Sequence, residues 1–347
     1  MHFTTILLTV AATLALTTVQ GTSPRPAVNQ TAANLKVMNY ALALEHLEAA
    51  FYKQGLAKFN SSAFSDAGYE GLVRNRLALI GQHGNWHVIA LSNAITKLKG
   101  TPVRPCNYTF PLANVTTFLT AARALENTGV SAYLGAVSGL RGGMFTVEAS
   151  VLTVKARQAS YLNGLWNQTG FPYARDTPLT PRQVATLTSK FIKSCPYNIT
   201  VKPFTQLTAT LPANGTGNIT TSFRGRRSNE TSLYCQLRYG AKIAVSTRNN
   251  CTLPADAIGY IYVLVTDTKT PITARNENRI VAGPALLFND NRNNSVPAPT
   301  TNTIPFPTST TISTTISTTT TDITTMTSMT SPTMISVTPM PSPTTVG

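Results

Sequence analysis

The sequence predicts a mainly α chain: a four-helix bundle, a small β-sandwich-like region after it, and a disordered tail. Three observations predict this. The tripeptide Ala43-Leu44-Glu45 recurs as Ala124-Leu125-Glu126, and in each copy a tyrosine follows the glutamate seven positions on, Tyr52 and Tyr133. Seven residues make about two helical turns, so Glu and Tyr share a face. That face also carries Met38, Leu42 and Ala49 in the first copy and Ala122, Gly129 and Ala136 in the second. A carboxylate inside an apolar stripe needs a buried partner. The second observation is that each copy leads into another helical segment, 77–98 and 145–166, giving two similar pairs. The third is a change of texture after Gly170, from helical periodicity to β-branched runs and then to a Thr/Ser/Pro tract.

The elements follow in order. Residues 1–21 hold an apolar run, Phe3 to Leu16, and read as a secretory signal, too short to span a membrane comfortably. The bundle is placed at 28–170, a connecting helix and loop at 171–200, the small β-rich region at 201–290 and a disordered stalk at 291–347. Helix one, about 34–54, is apolar nearly all round, as a central bundle helix should be. Residues 55–70 are a Gly/Ser/Asn-rich connection, and the next helix, about 70–98, has a break or bend expected near Gly81-Gln82-His83-Gly84. Pro102, Pro105 and Pro111 keep 99–114 out of helix, and its length suits a long crossover. Helices at about 115–139 and 145–167 complete the bundle, and a short one is expected at 181–193 after Thr180-Pro181. Strands are expected at 217–223, 231–238, 241–247, 258–266 and 279–288, with Ile258 to Val265 the most buried.

Residues 301–347 hold 19 Thr, 7 Ser and 6 Pro with Asp322 the only charge, a composition that cannot bury a core and reads as an O-glycosylated stalk without a lipid-anchor signal. Secretion is further supported by eleven Asn-x-Ser/Thr sequons, at Asn29, Asn60, Asn107, Asn114, Asn167, Asn198, Asn214, Asn218, Asn229, Asn250 and Asn293. Four cysteines, Cys106, Cys195, Cys235 and Cys251, allow three disulfide pairings, and proximity favours Cys235–Cys251, which leaves Cys106–Cys195. Lys and Arg number 28 against 13 Asp and Glu, a net charge of +15. Only Arg224-Gly225-Arg226-Arg227 approaches a basic cluster, and it lies in a Ser/Asn-rich turn without interleaved aromatics, so nucleic acid is not expected as a partner. An anionic cell-wall or matrix polysaccharide suits a secreted basic protein better.

The two helix pairs, with Leu44-Glu45-His46-Leu47-Glu48-Ala49-Ala50-Phe51-Tyr52, Leu125-Glu126-Asn127-Thr128-Gly129-Val130-Ser131-Ala132-Tyr133 and Phe191-Ile192-Lys193-Ser194-Cys195-Pro196, resemble the secreted, stress-associated (desiccation-related) ferritin-like proteins over roughly residues 28–200. The resemblance implies a di-iron or di-manganese bundle, with one Glu from each of two helices and Glu-x-x-His from each of the other two. Glu45 and Glu126 fill the lone-Glu positions, and His87 fills one His position. Gly84 stands where its Glu belongs, and the pattern Glu-Ala-Arg-His appears as Lys155-Ala156-Arg157-Gln158. Half of the six ligands are replaced.

Four carboxylates would neutralise most of the charge of two divalent ions, whereas Glu45, Glu126 and Lys155 together carry only one net negative charge. The expectation is therefore a vestigial site with no cofactor, in which Lys155 is the internal cation pairing with Glu45, Glu126 or both, and Gln158 reaches Tyr52 or Tyr133. The alternative is a surviving iron or manganese site on Glu45, Glu126 and His87, with Glu48 adding an oxygen and His83 a lesser candidate. Glu148 reads as a surface or end-of-bundle charge. No nucleophile–base set or phosphate-binding loop is present in the sequence, so no catalytic residue is assigned. The functional expectation is a secreted, glycosylated, stress- or development-associated protein acting as a non-enzymatic structural or binding component of the cell surface or matrix. The rival is a metal-dependent oxidase or metal store.

Overall fold

In the computed structural model the described residues are 30–290, apart from 138, 141–142, 214, 226 and 228–231. The segments read from sequence as a secretory signal and a disordered stalk lie outside them. The chain begins with four long helices: α1 (Gln30–Lys58), α3 (Gly71–Lys97), α4 (Val115–Val137) and α5 (Gly143–Gly164). Helix α1 packs along α3 and α4 along α5, and the two pairs meet through α1 and α4. The short helix α2 (Ser61–Asp66) occupies the connection read from sequence as loop. Its start is set by Asn60, whose side chain accepts a hydrogen bond from the Ala63 amide at 2.9 Å.

Helix α3 is continuous through Gly81 and Gly84, where the sequence suggested a break. Gly81 serves packing instead. A Cβ at Gly81 would lie 2.9 Å from the Tyr52 Cβ, so only glycine lets α3 approach α1 this closely. The upper core is aromatic, with Phe118 meeting Phe51, Tyr52, Phe59 and Phe64 at ring-centroid distances of 5.0–6.4 Å. Such pairs add about 0.5–1.5 kcal/mol each beyond their buried area.

The proline-bearing crossover after α3 carries β1 (Asn107–Tyr108), which pairs antiparallel with β2 (Ile192–Ser194), and a disulfide joins Cys106 to Cys195 beside it. Between α5 and β2, helix α6 (Pro181–Thr188) starts on a complete capping box: Thr180 and Gln183 bond each other's backbone amides at 3.3 and 3.2 Å, with Pro181 in the first turn. The helix expected to reach residue 193 ends at Thr188, and a 3₁₀ turn over Ser189–Phe191 leads into β2.

The strand-rich region contains small antiparallel sheets. The largest has the order β10 (Ile280–Asn289), β9 (Gly259–Thr266), β6 (Tyr234–Tyr239), β7 (Lys242–Thr247). Two-stranded ribbons, β3 (Leu207–Thr210) with β5 (Thr220–Phe223) and β4 (Gly217–Asn218) with β8 (Thr252–Leu253), enclose a core built on Leu207, Ile219, Leu237, Leu253, Ile261 and Val263. Every residue of β9 is buried, as its continuous apolar run requires. A second disulfide links Cys235 to Cys251.

Bundle and sheet form one compact unit. Tyr262 of β9 exchanges a hydrogen bond with Ser131 at 2.8 Å and donates to the Asn127 carbonyl at 3.2 Å, both on α4. Arg123 of α4, buried, donates to both oxygens of Asp290 at 2.6 and 2.7 Å and lies 3.9 Å from the Phe288 ring centroid. Among the described residues no helix is long and apolar enough to cross a membrane. Two disulfides are the chemistry of an oxidising, extracellular environment.

Candidate functional site

The four helices aim five ionisable side chains at one point in the bundle. Glu45 and Glu48, three residues apart on α1, share its inner face; Glu126 comes from α4, His87 from α3 and Lys155 from α5, and all are buried. Lys155 is only 1% exposed. Its Nζ lies 3.2 Å from Glu45 Oε1, forms an ion pair with Glu48 Oε2, and stands 5.5 Å from the Tyr133 ring centroid. His87 Nδ1 meets Glu45 Oε2 at 3.2 Å. Gly129 on α4 makes the space: a Cβ there would come within 3.0 Å of Glu48 Oε1 and 3.4 Å of Lys155 Cδ.

The tyrosines cross-link the two copies of the repeat. Tyr133 of α4 donates to Glu45 Oε1 of α1 at 2.5 Å, and Tyr52 of α1 donates to Glu126 Oε1 of α4 at 2.8 Å. Each glutamate is thus held by the tyrosine of the other copy. Gln158 does not reach either tyrosine; its Nε2 lies 3.1 Å from His83 Nδ1 on α3. Glu126 has no ion pair with Lys155, and its Oε2 lacks a hydrogen-bond partner.

Charge sets the protonation states. Burial alone would raise Glu45, but the Lys155 ammonium, His87 and the Tyr133 hydroxyl outweigh it and hold its pKa down at about 2. Burial also opposes the charge on Lys155, yet Glu45, Glu48 and Glu126 overcome that and push its pKa up. Burial raises Glu48 and Glu126, reinforced by the neighbouring carboxylates and only partly offset by Lys155. Three carboxylates thus face one ammonium, with Glu45 shifted toward its ionised form and Glu48 and Glu126 toward their protonated forms. The arrangement is an internally paired cluster.

Of the two readings the sequence left for Glu148, a surface or an end-of-bundle charge, the surface one is excluded. Glu148 is 3% exposed, beside a small cavity lined by Tyr40, Leu44, Tyr133 and Leu140, where the Tyr40 hydroxyl has no hydrogen-bond partner. Burial and then the Glu45 charge raise its pKa to about 7. Seven-residue spacing puts Glu148 on the helix face of Lys155, but spacing carries no information on how deeply that end of the bundle is covered.

The fold, the two helix pairs and the inward Glu45 and Glu126 now stand together with a direct match. The helical region is a ferritin-like domain. Residues 33–168 match the ferritin-like domain family model. No curated protein sequence matches the chain.

Ferritin-like domains of the di-metal kind hold their ions on four carboxylates and two histidines, and the residues here do not fit that group. The Lys155 ammonium stands between the Glu45 and Glu48 carboxylates that would face an ion. Gly84 contributes no ligand, and the Gln158 amide is engaged with His83. Among the described residues no three His, Cys, Asp or Glu side chains are grouped to hold a metal ion. What the cluster can do chemically is tie three helices through α1 by charge and hydrogen bonds. Glu48 was considered from sequence only as a fourth metal oxygen; its spacing of three from Glu45 was the available signal for a Lys155 partner.

Of the sequons, Asn60, Asn107, Asn114, Asn167, Asn198, Asn218 and Asn250 are exposed, while Asn29, Asn214, Asn229 and Asn293 lie outside the described residues. In the basic turn Arg227 is bound to Asp267 at 2.7 Å.

Proposed function

We propose that the protein is a secreted, glycosylated, stress- or development-associated binding or structural component of the cell surface or extracellular matrix, whose ferritin-like bundle uses Lys155 where relatives of the di-metal kind use ions. The observation that carries this reading is the Lys155 ammonium lodged between Glu45 and Glu48 in the sealed core. A fixed positive charge there repels a divalent ion, and displacing it would cost several kcal/mol of burial and pairing energy. With its centre occupied by a side chain, the bundle is a scaffold, and function passes to the surface. That surface carries seven exposed sequons, and the whole chain has a net charge of +15, which favours an anionic wall or matrix polysaccharide as partner and gives nucleic acid no aromatic-lined basic stripe.

The test is Fe(II)-dependent oxygen uptake by protein purified from its own secretion route. The scaffold reading expects uptake no faster than buffer. Catalytic uptake that disappears in Glu126→Ala would establish the oxidase reading on Glu45, Glu126 and His87 in its place.

A further inference from the structure

A polar-lined hollow against the bundle lies away from the Lys155 cluster, on the outer side of α4 and α5. Its volume is about 240 Å³. The segment after α5 folds back over the helices here, so Gly170, Phe171, Tyr173, Arg175 and Asp176 face Arg157, Ser160 and Asn163 of α5, with Tyr260 of β9 at one side. Gly170 is needed for that close crossing, since a Cβ would fall 1.9 Å from Ser160 Oγ.

Three features of the lining go unused by the fold. Arg157 and Arg175 come from separate segments, are both exposed, and have no hydrogen-bond or ion-pair partner among the described residues. Phe171 is 82% exposed, an unusual position for a phenyl ring that lines a hollow. Asp176 is exposed and accepts a hydrogen bond from Tyr260 at 2.9 Å, which fixes the carboxylate and leaves lone pairs free for another donor. By contrast the floor residues Asn127 and Asn163 are satisfied by each other and by Arg123.

Two guanidinium groups suit a carboxylate, a fixed carboxylate suits hydroxyl groups, and a bare aromatic face suits the C–H face of a sugar ring. The volume sits just below the range of about 300–1,000 Å³ typical of drug-sized ligands, which limits the occupant to one or two rings. We propose that this hollow binds a uronic-acid unit of an acidic polysaccharide, with Arg157 and Arg175 on its carboxylate, Asp176 on its hydroxyls and Phe171 against its ring. The inference rests on the acidic-polysaccharide reading above and gives it a site.

The test is calorimetric titration of full-length secreted protein with a galacturonic-acid oligomer and with a neutral galactose oligomer. The protein is enzymatically deglycosylated, because the Asn167 sequon precedes the lining residue Gly170 by three positions. Three variants are compared with wild type: Arg157→Ala with Arg175→Ala, Phe171→Ala, and a charge-matched control, Lys36→Ala with Lys53→Ala, on exposed positions of α1. The proposal expects the acidic oligomer to bind in preference to the neutral one. Losing the arginine pair should weaken it by about ten-fold or more, Phe171→Ala should weaken it as well, and the lysine control should leave it nearly unchanged. Equal weakening by the arginine and lysine pairs would assign binding to overall charge and overturn the site while sparing the polysaccharide reading. Absence of binding to the acidic oligomer in wild type would overturn both. Equal binding of the neutral oligomer would overturn the uronate assignment.

Discussion

Tyr133 donates a 2.5 Å hydrogen bond to Glu45, and the same bond is made in reverse, at 2.8 Å, by Tyr52 to Glu126. The two copies of the Ala-Leu-Glu repeat are therefore locked reciprocally, each supplying the donor that the other's buried carboxylate needs. The two bonds are not equivalent. Glu45 also has Lys155 and His87, whereas Tyr52 is the hydrogen-bond donor to Glu126 and Glu126 Oε2 has none.

That asymmetry predicts the outcome of removing each hydroxyl. Tyr52→Phe leaves a buried carboxyl without a donor and should cost about 1–3 kcal/mol. Tyr133→Phe should cost less, because the ammonium and imidazole remain. Adding Glu126→Gln to Tyr52→Phe should recover part of the loss. Denaturant midpoints of wild type, Tyr52→Phe, Glu126→Gln and their double variant form a double-mutant cycle, measured beside Tyr133→Phe, and a larger loss in Tyr133→Phe than in Tyr52→Phe would contradict the asymmetry.

Lys155→Met should be the most damaging single change in the cluster. It leaves Glu45 and Glu48 buried without their cation, a loss of about 3–5 kcal/mol at neutral pH. The pH sign follows from Glu45, whose folded pKa of about 2 lies below its ordinary value of 4.5 because of Lys155. In wild type that shift contributes stability above about pH 4.5, lost as pH falls toward 2. In Lys155→Met the carboxyls become buried acids with raised pKa values, so the variant should be relatively more stable in acid than at pH 7. Thermal melts at pH 4 and pH 7 distinguish the two profiles, and Lys155→Met with Glu45→Gln should restore much of the neutral stability.

Glu148 gives the opposite sign. Its folded pKa of about 7 lies above the ordinary 4.5, so the group favours the folded state fully only below pH 4.5. That contribution is lost progressively as pH rises to about 7 and is flat beyond. A shift of this size corresponds to about 3 kcal/mol. Glu148→Gln should match wild type near pH 4 and exceed it above pH 7. Equal melting temperatures for the two proteins at pH 8 would show that Glu148 is not buried as described.

Much of the helical fold was legible because its signals are local. The Glu–Tyr spacing marks one face on each of two helices, and Pro102, Pro105 and Pro111 mark the crossover. The misreadings arose where tertiary packing decided. Gly81 and Gly84 look like breakers in isolation, yet α3 runs through both, and at Gly81 α1 needs the space the missing side chain leaves. Glu148 shares a face with Lys155, but sequence does not show depth. The partner of Lys155 was legible in part: Glu45 is there, but Glu48 takes the contact that Glu126 was also considered for, because Glu48 rises from the same face of α1 one turn on. Helix α2 and strand β3 are too short for periodicity to reveal, although Asn60 offered a capping signal for the former.

The central claim is that a side-chain cation holds the position that ions hold in di-metal bundles. It is tested most directly by elemental analysis of wild type beside the triple variant Gly84→Glu, Lys155→Glu, Gln158→His, both produced without a metal-affinity tag in medium containing iron and manganese. Position 84 can accept the root of a side chain, since a Cβ there meets the Ala49 backbone at an ordinary 3.8 Å. The account predicts metal-free wild type and a triple variant that gains iron or manganese. Near-stoichiometric metal in wild type, lost on Glu126→Ala, would contradict it.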